Sequence, residues 1–120
     1  MDNRKELGPS ASLRTGRKGE KLAARFLESK GLSILERNFH TRFGEVDIIA
    51  NDCDTIVFVE VKLRRSRRFG TAIESVDEEK LEKVTAAGER WLQVQGFERA
   101  PWRVDVVAID GGRVEWLRGV

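Results

Sequence analysis

The run TIVFVEVKLR, residues 55–64, constrains this chain more than any other segment. A strand alternates its side chains between two faces, so Val57, Val59 and Val61 point one way and Phe58, Glu60 and Lys62 the other. Apolar residues open both faces, which predicts a central strand covered on both sides. A carboxylate in such a strand costs free energy unless a counter-charge or a metal ion stabilises it. Glu60 and Lys62 break the strand's own pattern, and that break makes them site candidates.

The preceding run, GEVDIIA, repeats the anomaly. Strict alternation puts Glu45, Asp47 and Ile49 on one face and Val46, Ile48 and Ala50 on the other. The polar residues 51–54, NDCD, separate the two runs, and a turn of two or four residues there makes an antiparallel hairpin. Either register places Glu45, Asp47, Glu60 and Lys62 on the same side, with directly opposite residues roughly 4.5–5.5 Å apart. At least two carboxylates then reach one divalent cation. Carboxylates on a rigid hairpin suit Mg²⁺ or Mn²⁺ better than zinc. A metal held there polarises a phosphoryl oxygen and activates water, and a lysine beside it orients that water or stabilises the developing charge. These are the parts of a phosphodiester hydrolase. Glu-x-Lys alone is an ordinary spacing, commonly a surface ion pair; the acidic residues one strand upstream give it meaning.

Charge segregation points to the same partner. Lysine and arginine total 22 against 20 acids, a formal charge of +2. Yet Lys62, Arg64, Arg65, Arg67 and Arg68 fall in one stretch without an acid, and Arg14, Arg17 and Lys18 form another. Such stripes suit a polyanion, and Arg42 adds a further candidate phosphate contact. The acids Asp77, Glu78, Glu79 and Glu82 instead crowd a helix start, where the dipole favours them. The single cysteine, Cys53, excludes an internal disulfide and a multi-cysteine zinc site. No apolar stretch approaches the roughly 18–20 residues that span a bilayer, and the N-terminus lacks a signal-peptide block. The expectation is a soluble, cytoplasmic protein with no membrane partner.

Residues 1–14 read as a flexible arm and 15–120 as a single domain. Ser12 or Thr15 starts a helix to about Lys30, with Leu22, Ala23, Phe26 and Leu27 inward and Gly31 as its stop. Strands follow at 32–37, 44–50 and 55–64. A second helix at about 77–95 carries Leu81, Val84, Gly88, Trp91 and Leu92 as its inner stripe, Gly88 permitting a close approach. Two last strands, WRVDVVAID and RVEWLRG, meet at Gly111-Gly112. The order α-β-β-β-α-β-β predicts an α/β fold, a mixed sheet flanked by helices. Glu20 lies at the rim of the first helix's apolar stripe, where it can lean over the sheet. His40 reads as a solvated side chain in a polar turn, and Cys53 as an exposed thiol at a hairpin tip. Asp105 reads as a structural partner for a basic side chain. Trp91 reads as core; Trp102 and Trp116 read as packing residues that could also stack bases or line a dimer contact.

In order and spacing, GRKGEKLAARFLESKGL, NFHTRFGEVDIIA, TIVFVEVKLR and RVDVVAI resemble the YraN family of small bacterial proteins, from Gly16 to the final strand. That family looks like a branch of the PD-(D/E)XK nuclease superfamily, whose restriction-endonuclease-like fold is shared by archaeal Holliday-junction resolvases. The resemblance implies that Asp47 is the first-motif aspartate, Glu60 and Lys62 the (D/E)XK pair, and Glu20 the first-helix glutamate of the resolvase-like branches. Val46 stands where many members carry proline. The function implied is a metal-dependent endonuclease with Asp47 and Glu60 (Glu45 as a further candidate) on Mg²⁺ or Mn²⁺. Lys62 and Glu20 would be catalytic. Arg17, Lys18, Arg42, Arg64, Arg65, Arg67 and Arg68 would grip nucleic acid. No aromatic cluster of the kind that reads RNA is evident, which favours DNA, structured or branched. A homodimer is the arrangement by which small nucleases of this fold cut two strands. The alternative is a catalytically inactive nucleic-acid-binding module of the same fold. A third reading, an interaction protein pairing through its last hairpin, has less support.

Overall fold

The computed structural model describes residues 11–64, 76–111 and 113–120. In chain order these form α1 (Ala11–Ser29), β1 (Ser33–Thr41), β2 (Gly44–Asp52), β3 (Thr55–Arg64), α2 (Glu78–Gln95), β4 (Trp102–Asp110) and β5 (Arg113–Leu117). The order is the expected α-β-β-β-α-β-β. The five strands make one mixed sheet in sequence order, antiparallel except where β3 pairs parallel with β4. β3 is central, as its apolar run required. Helix α1 begins at Ala11, taking in residues read as the end of the arm, while residues 1–10 lie outside the described part. No helix among the described residues is long and apolar enough to cross a membrane.

Each helix covers one face. Ala23, Ala24 and Leu27 of α1 pack with Ile48, Ala50, Val57, Val59, Val107 and Ile109. On the other face Val84, Ala87, Trp91 and Leu92 of α2 pack with Val46, Ile49, Ile56, Phe58 and Val104. The α2 ends follow from local chemistry. Asp77 caps its N-terminus by accepting from the Glu79 and Lys80 backbone N–H groups, and Gly96 closes the other end at φ 75°. The β2–β3 turn uses two residues, Cys53 and Asp54, between the paired Asp52 and Thr55. Cys53 takes φ 58° there, the sign such a tight turn demands.

Two expectations need correction. First, β1 runs on to Thr41, so residues 38–41 are strand rather than polar turn, and His40 lies directly opposite Glu45. The turn is only Arg42 and Phe43, tied by Thr41, whose hydroxyl accepts from Phe43 N and Gly44 N and donates to Gly44 O. Second, β2 does not alternate strictly. Val46 packs on the α2 face together with Ile49, while Ile48 and Ala50 pack on the α1 face. The slip falls at Asp47. Its β1 neighbours in register are Arg37 opposite Ile48 and Phe39 opposite Val46, with Asn38 between them at φ 56°. A left-handed residue inside a strand pair interrupts the pleat, so faces counted across it change over.

The close approach at Gly88 is made by Phe58. A Cβ on Gly88 would sit 2.6–2.9 Å from three atoms of that ring, which is itself fully buried. Gly88→Ala is therefore expected to lose about 1–3 kcal/mol of stability through overpacking, read by urea denaturation. An unchanged midpoint would show that ring and helix separate freely.

Candidate functional site

The strands diverge where the acids lie. β2 and β3 pair from Asp52–Thr55 up to Ile48–Val59 and no further. Beyond that point Val46, Glu45 and Gly44 pair only with β1, and residues 60–64 of β3 only with β4. The opening would leave the Val61 N–H without a strand partner. Asp47 supplies one: its Oδ2 accepts from Val61 N at 2.8 Å. The aspartate thus bridges the opening and is held there by the backbone of the residue between Glu60 and Lys62.

Glu60 lies on the α2 side of this opening with only 3% of its surface exposed. One of its oxygens, Oε2, is buried without a hydrogen-bond partner; the other is 3.9 Å from Lys80 Nζ. Glu20 approaches from α1. Its neighbour Gly19 is buried, and a Cβ there would lie 3.7–3.9 Å from Val61 and Leu63 side-chain atoms, so the helix passes close over the end of β3. The Asn38 side-chain amide opposes the rise in the Glu20 pKa, and Glu20 Oε1 is buried and unpartnered. Burial is the main cause that raises the pKa of Glu20, Asp47 and Glu60 above the ordinary carboxylate value. The negative charge of Asp47 raises Glu20 and Glu60 further. Lys62 and Lys80 oppose the shift at Glu60; the Val61 N–H and, less strongly, Lys80 oppose it at Asp47. Asp47 thus repels a carboxylate from each of two other elements, Glu20 and Glu60, and both of those keep an idle oxygen.

That arrangement fits a divalent cation at Asp47 and Glu60. Among the described residues no three His, Cys, Asp or Glu side chains form a ready-made metal cage. A hard cation such as Mg²⁺ does not need one, since it keeps several waters and is commonly bound by one or two carboxylates.

The other expected site residues divide. Glu45 adds negative charge beside Asp47 and Glu20, but its Oε2 is taken by His40 Nδ1 at 2.9 Å. Arg42 is exposed on the β1–β2 turn, its guanidinium 4.9 Å from the Phe43 ring centre. Arg65, Arg67 and Arg68 lie outside the described residues, as do the side chains of Arg17, Lys18 and Arg64. Asn38, Lys80 and Arg37, whose positive charge opposes the shift at Glu20, were missed by sequence reasoning. Lys80 did carry a signal: with Val84, Ala87, Gly88 and Trp91 it continues the inward stripe of α2 one turn too far for a solvated lysine.

Asp105 shows what a structural buried acid looks like here. It is fully buried, and both its oxygens are satisfied. Arg103 Nε donates to both, Trp116 Nε1 to Oδ2 and Gly119 N to Oδ1, each at 2.9–3.3 Å. Arg103 also reaches Asp52 at 2.9 Å. The expected basic partner is present. Trp91 is core, with its Nε1 donating to Glu36, and Cys53 is exposed.

The family model described as "Uncharacterised protein family UPF0102" matches residues 19–109, which span Glu20, Asp47, Glu60, Lys62 and Asp105. The chain belongs to that family. A UPF0102 protein of Alkalilimnicola ehrlichii is 41% identical over 98% of this chain and 94% of its own length. One of Syntrophus aciditrophicus is 44% identical over 89% of this chain and 87% of its own. One of Neisseria meningitidis is 41% identical over 88% and 92%. UPF0102 is the YraN family that the sequence motifs resemble. Membership establishes kinship along the whole domain; the family's own description assigns no activity.

The two buried acids should respond oppositely to neutralisation. Asp105→Ala strands Arg103 and the C-terminal hydrogen bonds, and is expected to cost about 3–5 kcal/mol. Glu60→Gln removes an under-partnered charge, and is expected to stabilise the metal-free protein by about 1 kcal/mol at pH 7.5. The sign follows from the raised pKa. A native carboxyl that holds its proton more tightly than the unfolded one loses stability as pH rises through its native pKa. The Glu60→Gln advantage should therefore shrink as pH falls into the range where the native Glu60 is protonated. Urea titrations of both variants across pH would check this. A Glu60→Gln protein less stable than wild type at pH 7.5 would mean that the carboxylate is structural.

Proposed function

We propose that this protein is a nucleic-acid-binding, metal-dependent endonuclease-like protein that hydrolyses phosphodiester bonds, with DNA as its substrate class. The observation that carries the reading is the buried Glu60 with its idle oxygen, in a strand opening bridged by Asp47 and next to Lys62 and Lys80. A carboxylate kept in so costly a position without a full set of partners is ordered for something it binds.

In this reading Asp47 and Glu60 hold Mg²⁺ or Mn²⁺. The cation, when bound, supplies Lewis acidity toward a phosphoryl oxygen and lowers the pKa of a coordinated water. Lys62 orients the attacking water and offsets charge building on the phosphate. Glu20 takes part from the opposite side of the sheet and adds to the negative potential that attracts the cation. The arginines after β3 bind the sugar-phosphate backbone without reading sequence. Cytoplasmic location and a homodimer that offers two such sites belong to the same proposal.

One observation favours a second reading, a binding module of the same fold that performs no chemistry: Arg42, Lys80 and Lys83 line a cavity that includes neither Asp47 nor Glu60. Cleavage distinguishes the two. Purified protein with Mg²⁺ or Mn²⁺ is expected to cut branched, nicked or single-stranded DNA. Asp47→Asn and Lys62→Ala should each reduce the rate by roughly 100-fold or more, as removal of one electrostatic stabiliser does elsewhere. Salt-sensitive DNA binding without cleavage under any metal would select the binding module, and neither binding nor cleavage would remove both.

A further inference from the structure

A cavity of ≈ 390 Å³ lies between the β1–β2 turn and the first turns of α2, lined by His40, Thr41, Arg42, Phe43, Gly44, Glu45, Lys80 and Lys83. Three of these side chains, Arg42, Lys80 and Lys83, are basic, and only one is acidic. That acid, Glu45, is already engaged by His40. The floor is rigid, because Gly44 lies tight against α2: a Cβ there would stand 2.6 Å from the Lys83 carbonyl oxygen. Lys80 belongs to two places at once. It lines this cavity, and its Nζ is 3.9 Å from the nearly buried Glu60. Its own side chain is 42% exposed, and its backbone is fixed by the Asp77 cap. A flexible four-carbon stem on a fixed base can swing its ammonium between two partners a few ångströms apart.

We propose that this cavity binds a backbone phosphate of the nucleic-acid strand flanking the one at Asp47 and Glu60, and that Lys80 alternates between that phosphate and Glu60. The inference rests on the proposed function and adds to it a second anchoring point and a counter-charge that yields to the cation. Without metal, Lys80 partly neutralises Glu60 and Asp47. With a divalent cation held by those carboxylates, Lys80 would lose its place beside Glu60 and join Arg42 and Lys83 on phosphate. The same lysine thus opposes metal binding and favours the strand. A side chain that merely stabilised the fold would do neither.

The test uses the full chain and two probes, Mn²⁺ alone and a labelled DNA oligonucleotide in Ca²⁺ buffer. Lys80→Met keeps the apolar stem and removes the charge, and a melting curve confirms that it folds. Its Mn²⁺ affinity, measured by calorimetry, is expected to rise by about 3–10-fold, because a competing positive charge has gone. Its DNA affinity should fall by about 3–10-fold, with the slope of log K against log salt shallower by about one. Lys83→Met should weaken DNA binding in the same way and leave Mn²⁺ affinity close to wild type. Unchanged Mn²⁺ affinity in Lys80→Met overturns the alternation, and unchanged DNA affinity in both variants overturns the phosphate subsite. Wild-type protein that binds neither probe overturns the proposed function itself, an outcome separable from the other two because it precedes any substitution.

Discussion

The hydrogen bond from Val61 N to Asp47 Oδ2 holds the rest of the site in place. Two antiparallel strands that part company leave backbone groups unpaired, and an unpaired buried N–H is expensive. A side chain that accepts that N–H lets β2 turn toward β1 while β3 continues along β4. The wedge between them receives Glu60 and Lys62 from β3, Glu20 from above and Lys80 from the other helix. Without Asp47 the wedge would have to close or admit water. The residue assigned to cation binding is also the one that stabilises the gap in which the cation would bind.

Electrostatics separates the two kinds of buried acid. Asp105 is saturated by Arg103, Trp116 and the Gly119 backbone, and it ties β4, β5 and the C-terminal residues together. Glu60 and Glu20 each keep an idle oxygen, and both sit close enough to Asp47 to feel its charge. A fold that can satisfy one carboxylate so fully, yet leaves two others short, one in the sheet and one on α1, carries local instability at a single place. Such frustration at one end of an otherwise consistent sheet is the usual sign of a functional position.

Much of the fold was legible because periodicity and turn chemistry are local. The apolar run at 55–64 required a central strand, and β3 is paired on both sides. Gly88 announced a close contact, which Phe58 makes. Asp77 and Gly96 bracket a helix because their side chain and their conformational freedom satisfy its ends. The site was legible in part. Glu60 and Lys62 stood out as charges in an apolar strand. Strict alternation, which put Val46 with Ile48 and Ala50, failed at one residue, since nothing local says that Asn38 will turn left-handed beside it. Lys80 went unnoticed because a lysine one turn inside a helix start looks solvated until the opposite sheet face is known.

The chain's own order of residues determined its elements, the central place of β3, and which charges would be costly to bury, because each depends on neighbours a few positions apart. Only tertiary structure decided where β2 leaves β3, that Asp47 spans the opening, that Glu60 and Lys80 meet on one face, and that Glu20 comes near Asp47. Those contacts join residues from three regions of the chain, and their geometry depends on how two helices settle on opposite faces of one sheet. Packing against a surface that does not exist until the strands have paired is what sets those distances, so no local pattern encodes them.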